Sequence, residues 1–109
     1  MSYSVKTIAV FERQAKRLVK KYPSLKSELL QLVQLLKETP AKQGNSLGNN
    51  CYKIRIAITS KGKGKSGGAR IITHLQISAS TVFLLSIYDK SEQADITDSE
   101  LSELLKFVK

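Results

Sequence analysis

The chain has 109 residues, the size of one domain with a single modest core. At 41% apolar residues it is too hydrophobic to be a disordered segment, and one cysteine, Cys51, excludes an intramolecular disulfide. A net charge of +9 points to a polyanionic partner, and no apolar run approaches the ~20 residues needed to span a bilayer.

Tyr3 to Ile8 alternates weakly and predicts a short strand. Phe11, Ala15, Leu18 and Tyr22 then recur at helical spacing, with Arg13, Lys16, Arg17, Lys20 and Lys21 filling the rest of the helix. Pro23 and Ser24 break this helix and start another, Ser being a natural N-cap. Leu25, Leu29, Leu32, Val33 and Leu36 form the next stripe, a core face, and Pro40 ends it. Residues 9–39 therefore read as two helices joined by a short turn.

Ala41 to Asn50 reads as a polar loop. After it the period falls to two. Tyr52, Ile54, Ile56 and Ile58 share one side of a strand, and Lys53 and Arg55 share the other. A Gly/Lys loop from Lys61 to Gly68 precedes a strand from Arg70 to Ile77. A turn at Ser78 to Ser80 leads into a third β-rich run, Thr81 to Tyr88. Thr97-Asp98-Ser99-Glu100 is a capping box, and Leu101, Leu104, Leu105 and Val108 give the following helix one apolar face. The order β-α-α-β-β-β-α predicts an α+β, two-layer single domain over residues 1–109, with the N-terminal strand and helical hairpin packed on an antiparallel sheet.

Charge is concentrated. Residues 1–90 hold sixteen basic and four acidic side chains, a net of +12, while residues 91–109 hold two basic and five acidic, a net of −3. Between Lys53 and Arg70 there are six basic residues and no acid. Such clustering favours nucleic acid or ribosome over mere solubility.

Two familiar motifs occur without their context. Gly62-Lys63-Gly64-Lys65-Ser66-Gly67 satisfies G-x-G-x-x-G, but a strand follows it where a dinucleotide site needs a helix. Gly64-Lys65-Ser66 mimics a P-loop, yet Thr59 stands where its first glycine belongs. The physical reading is different: glycines admit a phosphate close to the backbone, and Lys61, Lys63 and Lys65 neutralise it, against the alternative of a merely solvated hairpin loop.

Lys53 and Arg55 project from one strand face, Arg70 begins the next strand, and Tyr88 and Lys90 end the third. Their convergence on an open sheet face would assemble the fixed cations that phosphoryl chemistry needs. His74, the one histidine, lies mid-strand and reads as structural rather than as a base. No metal-ligand spacing is present, and no cofactor is expected. Met1 to Val10 lacks the layout of a signal peptide, so a cytoplasmic location is the expectation.

Cys51-Tyr52-Lys53-Ile54-Arg55-Ile56, the segment from Lys61 to Ile72, and Leu84 to Glu92 together resemble the RelE/HigB-like toxins of type II toxin–antitoxin modules, part of the RelE/ParE superfamily. The resemblance covers essentially the whole chain. It implies a RelE-like fold and a metal-independent endoribonuclease that enters the ribosomal A site and cuts messenger RNA. In that reaction the 2′-hydroxyl attacks the adjacent phosphate and frees a 5′-hydroxyl. By position, Lys53 and Arg55 match the basic strand pair, Arg70 the phosphate-contacting arginine, and Lys90 the basic residue after the last strand. Lys53 or Arg55 would then serve the 2′-hydroxyl, and Lys90 the leaving oxygen. Some relatives carry a tyrosine where this chain has Ile96, which makes Tyr88 the candidate stacking or proton-relay group. Lys61, Lys63 and Lys65 are the expected RNA- or ribosome-binding residues. The implied partners are the ribosome with its messenger RNA and a cognate, DNA-binding antitoxin, with operator DNA reached only through that antitoxin and no membrane. Two alternatives share the scaffold: a ParE-like inhibitor of DNA gyrase, and a basic RNA-binding protein.

Overall fold

A computed structural model describes residues 2–62, 64 and 67–108. The elements are β1 (Ser4–Thr7), α1 (Ala9–Lys21), α2 (Leu25–Glu38), β2 (Asn45–Gly48), β3 (Cys51–Ile56), β4 (Ala69–Gln76), β5 (Thr81–Asp89) and α3 (Asp98–Leu105). The α+β order is the one the periodicities indicate. The strands form one sheet in the order β1-β5-β4-β3-β2. β2 to β5 run antiparallel to their neighbours, and β1 pairs in parallel with β5, so the sheet is mixed.

β2 is the addition: residues 41–50, expected as loop, contain an edge strand. Its hairpin to β3 turns through Asn49 and Asn50, whose φ angles of 51° and 58° are both left-handed. That conformation matches the twist of the flanking strands, and Asn tolerates it better than most residues. Gly44 also has a positive φ, 83°, and a Cβ there would lie 2.3 Å from the Lys53 carbonyl oxygen. Only glycine lets the chain enter this edge so close to β3.

The helices cover one face of the sheet. Phe11, Leu18, Leu25, Leu32 and Leu36 join Ile54, Ile71, Leu75, Val82 and Ile87 in one buried cluster. Ser24 departs from its expected role: its hydroxyl does not cap α2 but bonds the Ser60 hydroxyl (2.9 Å) and Glu28 (3.2 Å). Thr59 adds two bonds to the Glu28 carboxylate, from its N–H (2.8 Å) and its hydroxyl (2.7 Å). The chain leaving β3 is thereby strapped to the start of α2.

β1 reaches only as far as Leu84 of β5. Beyond that point Gln14 of α1 replaces it. Its side-chain oxygen accepts from the Ile87 N–H (3.0 Å) and the Ser86 hydroxyl (3.1 Å), satisfying an edge donor that would otherwise lose its partner. The capping box of α3 forms as expected, with Glu100 N–H donating to the Thr97 hydroxyl and Thr97 N–H to the Glu100 carboxylate, both 3.1 Å. Leu101 is buried, and α3 packs against β5.

Candidate functional site

Strand register builds the site. Arg55 of β3 stands directly opposite Arg70 of β4, and Arg70 opposite Tyr88 of β5. Directly opposed residues share a sheet face, so these three form a row across three strands. Lys53, Ile72 and Ser86 form the next row on the same face. Two like charges set opposite one another oppose sheet stability. The sequence tolerates that cost at this place.

The sequence suggested an open face, but this one is partly covered. Arg70 and Tyr88 are each only 4% exposed, and Ile72 is fully buried. The stretch between β5 and α3 lies over part of it, and Asp95 makes the contact. One oxygen of that carboxylate accepts from Lys53 Nζ (3.2 Å), the Tyr88 hydroxyl (3.4 Å) and the Ile96 N–H (2.8 Å). The Ile96 amide, then Lys53, hold the Asp95 carboxyl below the usual carboxylate range. Burial, then the nearby Asp95 charge, pushes the Tyr88 phenol up to about 12, so it stays protonated and donates.

Of the expected site residues, Lys53, Arg55, Arg70 and Tyr88 are thus brought together. Arg55 is exposed, while Arg70 also donates to the Ala69 carbonyl (3.3 Å). Lys90 joins the margin. Its N–H donates to the Gly68 carbonyl (3.0 Å) and its Nζ to the Ala94 carbonyl (3.2 Å), next to Asp95. Gly68 sits where a Cβ would lie 2.0 Å from the Ile56 carbonyl oxygen, so the loop returns to the sheet in tight contact with β3.

Lys61 is placed elsewhere. Tyr88 and Asp89 point to opposite faces, and Asp89 faces the helices. Its buried carboxylate accepts from Lys61 Nζ, the Tyr22 hydroxyl (2.7 Å), and both the N–H (2.9 Å) and hydroxyl (2.8 Å) of Ser91. The Lys61 ammonium therefore faces a structural anion rather than the solvent where RNA would meet it. Lys63 and Lys65 lie outside the described residues.

His74 stands opposite Cys51, four residues along β4 from Arg70, roughly 13 Å away at strand spacing. Its Nδ1 lies 3.5 Å from the Cys51 sulfur. Burial lowers the imidazole pKa despite the Asn49 backbone contact, and pushes the Cys51 thiol up to about 11. This pair is a neutral, packed one, in keeping with the structural reading of His74. Asp95 is the site residue that sequence reasoning missed. It lies 42 positions from Lys53 with no local pattern tying the two. Among the described residues, no three His, Cys, Asp or Glu side chains gather to hold a metal ion.

A helical hairpin on a mixed five-stranded sheet, with two arginines and a tyrosine in a row across its central strands, defines a small basic α+β domain. A family model described as the RelE toxin of the RelE/RelB toxin–antitoxin system matches residues 8–109. The chain belongs to that family. Two solved structures share its fold. The toxin–antitoxin complex RelBE2 from Mycobacterium tuberculosis aligns with a TM-score of 0.63 and 16% identity, over 82% of this chain and 99% of that one. An arginine double mutant of the E. coli toxin RelE in the free state aligns with a TM-score of 0.62 and 20% identity, over the full length of both.

Proposed function

We propose that this RelE-family toxin is a metal-independent endoribonuclease that cuts messenger RNA on the ribosome, and that a cognate antitoxin holds it in check. The observation that carries the reading is the Arg55–Arg70–Tyr88 row with Lys53 beside it. Negative charge grows on the phosphate oxygens as a 2′-hydroxyl attacks, and preorganised cations stabilise that charge without reorganising. Arg70, held at the start of β4, supplies a fixed positive charge. Arg55 is exposed and meets the phosphate first. Lys53, two residues from Arg55 on the same strand face, adds a further positive charge to the phosphate site. Tyr88 donates its phenolic proton or stacks on a base. Lys90, whose ammonium bonds the Ala94 carbonyl next to Asp95, assists the leaving 5′-oxygen.

A chain with a net of +12 over residues 1–90 fits an acidic protein partner, since complementary charge makes association fast. Operator DNA would be reached through that antitoxin, and action on the ribosome would place the toxin in the cytoplasm.

The test is primer extension on cellular messenger RNA during expression of the chain, with and without Arg70→Ala. Codon-linked cuts that fall by about 10²-fold or more in the variant are the expected result. Because Arg70 is buried, the variant's thermal melt is compared with wild type first, and Arg55→Ala provides an exposed counterpart. Growth arrest with DNA damage and no RNA cuts would mean gyrase inhibition instead.

A further inference from the structure

The Asp95 carboxylate lies on the cationic face. It takes Lys53 Nζ and the Tyr88 hydroxyl with a single oxygen, and both groups belong to the cationic face. We propose that Asp95 is an internal anion that occupies the phosphate position on Lys53 and Tyr88 in the free protein, and that RNA binds by displacing it. This rests on the reading of that face as a phosphate site.

Three observations support exchange over a permanent strut. The first is asymmetric burial: the Asp95 side chain is 62% exposed, while Lys53 is 17% and Tyr88 4% exposed. The carboxylate is therefore the outer, solvated member, and water can receive it when it leaves. The second is placement. Asp95 lies between the end of β5 and the N-cap of α3, outside both elements, so it can turn away without breaking a strand or helix bond. The third is its alternative anchoring. The Ile96 N–H bonds the Asp95 carboxylate and Gln93 Nε2 bonds its carbonyl (2.9 Å), so the residue keeps local partners when Lys53 is taken.

The electrostatics then allow one occupant. Lys53 Nζ cannot hold a phosphate oxygen and the Asp95 carboxylate at this spacing without setting two anions side by side. The low pKa of Asp95 means that protonation near neutrality does not release it, so the incoming phosphate must. The consequence is a threshold. RNA that also engages Arg55 and the rest of the basic surface outcompetes the carboxylate. A small anion with a single contact does so poorly.

The test uses the full-length protein and a short single-stranded RNA labelled for fluorescence anisotropy, without ribosomes, over a salt series. Asp95→Asn should bind about three- to fivefold tighter, the upper part of the range for an exposed ion pair. Its salt slope should stay close to that of wild type, because the same Lys53–phosphate contact forms in both. Asp98→Asn, which removes an exposed acid outside the contact, should change affinity much less. In a Lys53→Ala background the gain from Asp95→Asn should vanish. Unchanged or weaker binding by Asp95→Asn would overturn the proposal and make Asp95 a strut for Lys53 and Tyr88. A gain that persists without Lys53 would overturn it equally, as a general charge effect. If Lys53→Ala alone leaves RNA binding and cleavage intact, the phosphate-site reading itself fails. If Lys53→Ala weakens RNA binding and Asp95→Asn does not strengthen it, only the displacement idea fails.

Discussion

Two Lys–Asp–Tyr clusters lie on opposite faces of one sheet, built from the same three residue types. Lys61, Asp89 and Tyr22 meet on the helix side, where Asp89 is fully buried and Lys61 is 10% exposed. Lys53, Asp95 and Tyr88 meet on the other side, where the carboxylate stands mostly in water. Burial turns identical chemistry to different uses. Around Asp89 desolvation opposes ionisation, and Lys61, the Ser91 amide, Tyr22 and the Ser91 hydroxyl together outweigh it, holding the carboxyl far below the usual range. Every partner there is needed, because a buried charge that loses its counterpart has no water to replace it. Asp95 has water on most sides, so its pair is weak and replaceable. The first cluster pins the base of the Lys–Gly loop to the C-terminal end of α1. The second is suited to exchange.

The comparison breaks most visibly at the carboxylates. Asp89→Ala should destabilise the fold by about 3–5 kcal/mol, since it strands the Lys61 ammonium. Chemical denaturation measures this directly. A loss below about 1 kcal/mol would show that the two clusters do not differ in kind.

The acid limb of stability should belong to the same residue. Asp89 has a lower pKa folded than unfolded, where it is about 3.9. Its contribution is therefore present above about pH 4 and lost as the pH falls below that value. Denaturant midpoints measured down the acid range should fall in wild type and flatten in Asp89→Ala. Tyr88 predicts an opposite, alkaline limb. Its pKa is raised in the folded state, so its contribution is complete below the unfolded value of about 10 and is lost as pH rises towards about 12. Tyr88→Phe should remove that limb.

Deleting one hydroxyl from each cluster sharpens the contrast. Tyr22→Phe removes a 2.7 Å bond to a buried carboxylate and should cost about 1.5–3 kcal/mol. Tyr88→Phe removes a 3.4 Å bond to an exposed one and should cost well under that near neutral pH. The smallest effect is expected for Asp95→Ala, within about 1 kcal/mol by denaturation, even as RNA binding tightens.

Local patterning alone determined much of this protein. The spacing of Phe11, Leu18, Leu25, Leu32 and Leu36 marked the helices and their buried faces, because a helix repeats within a few residues. Alternation around Lys53 and Arg55 set them on one side of β3, and Thr97 with Glu100 marked the start of α3. Those features depend on neighbours in the chain. β2 was not legible, because Asn45-Ser46-Leu47-Gly48 is a short exposed edge without apolar alternation, and its turn uses Asn-Asn in place of Asn-Gly. Nor was the division of labour between the lysines. Lys53 and Lys61 sit eight residues apart in the same acid-free stretch, and nothing local separates them. Their partners, Asp95 and Asp89, come from 42 and 28 positions away. Only the register of β4 against β5, which turns Tyr88 to one face and Asp89 to the other, decided which lysine is buried in the structure and which stands at the site.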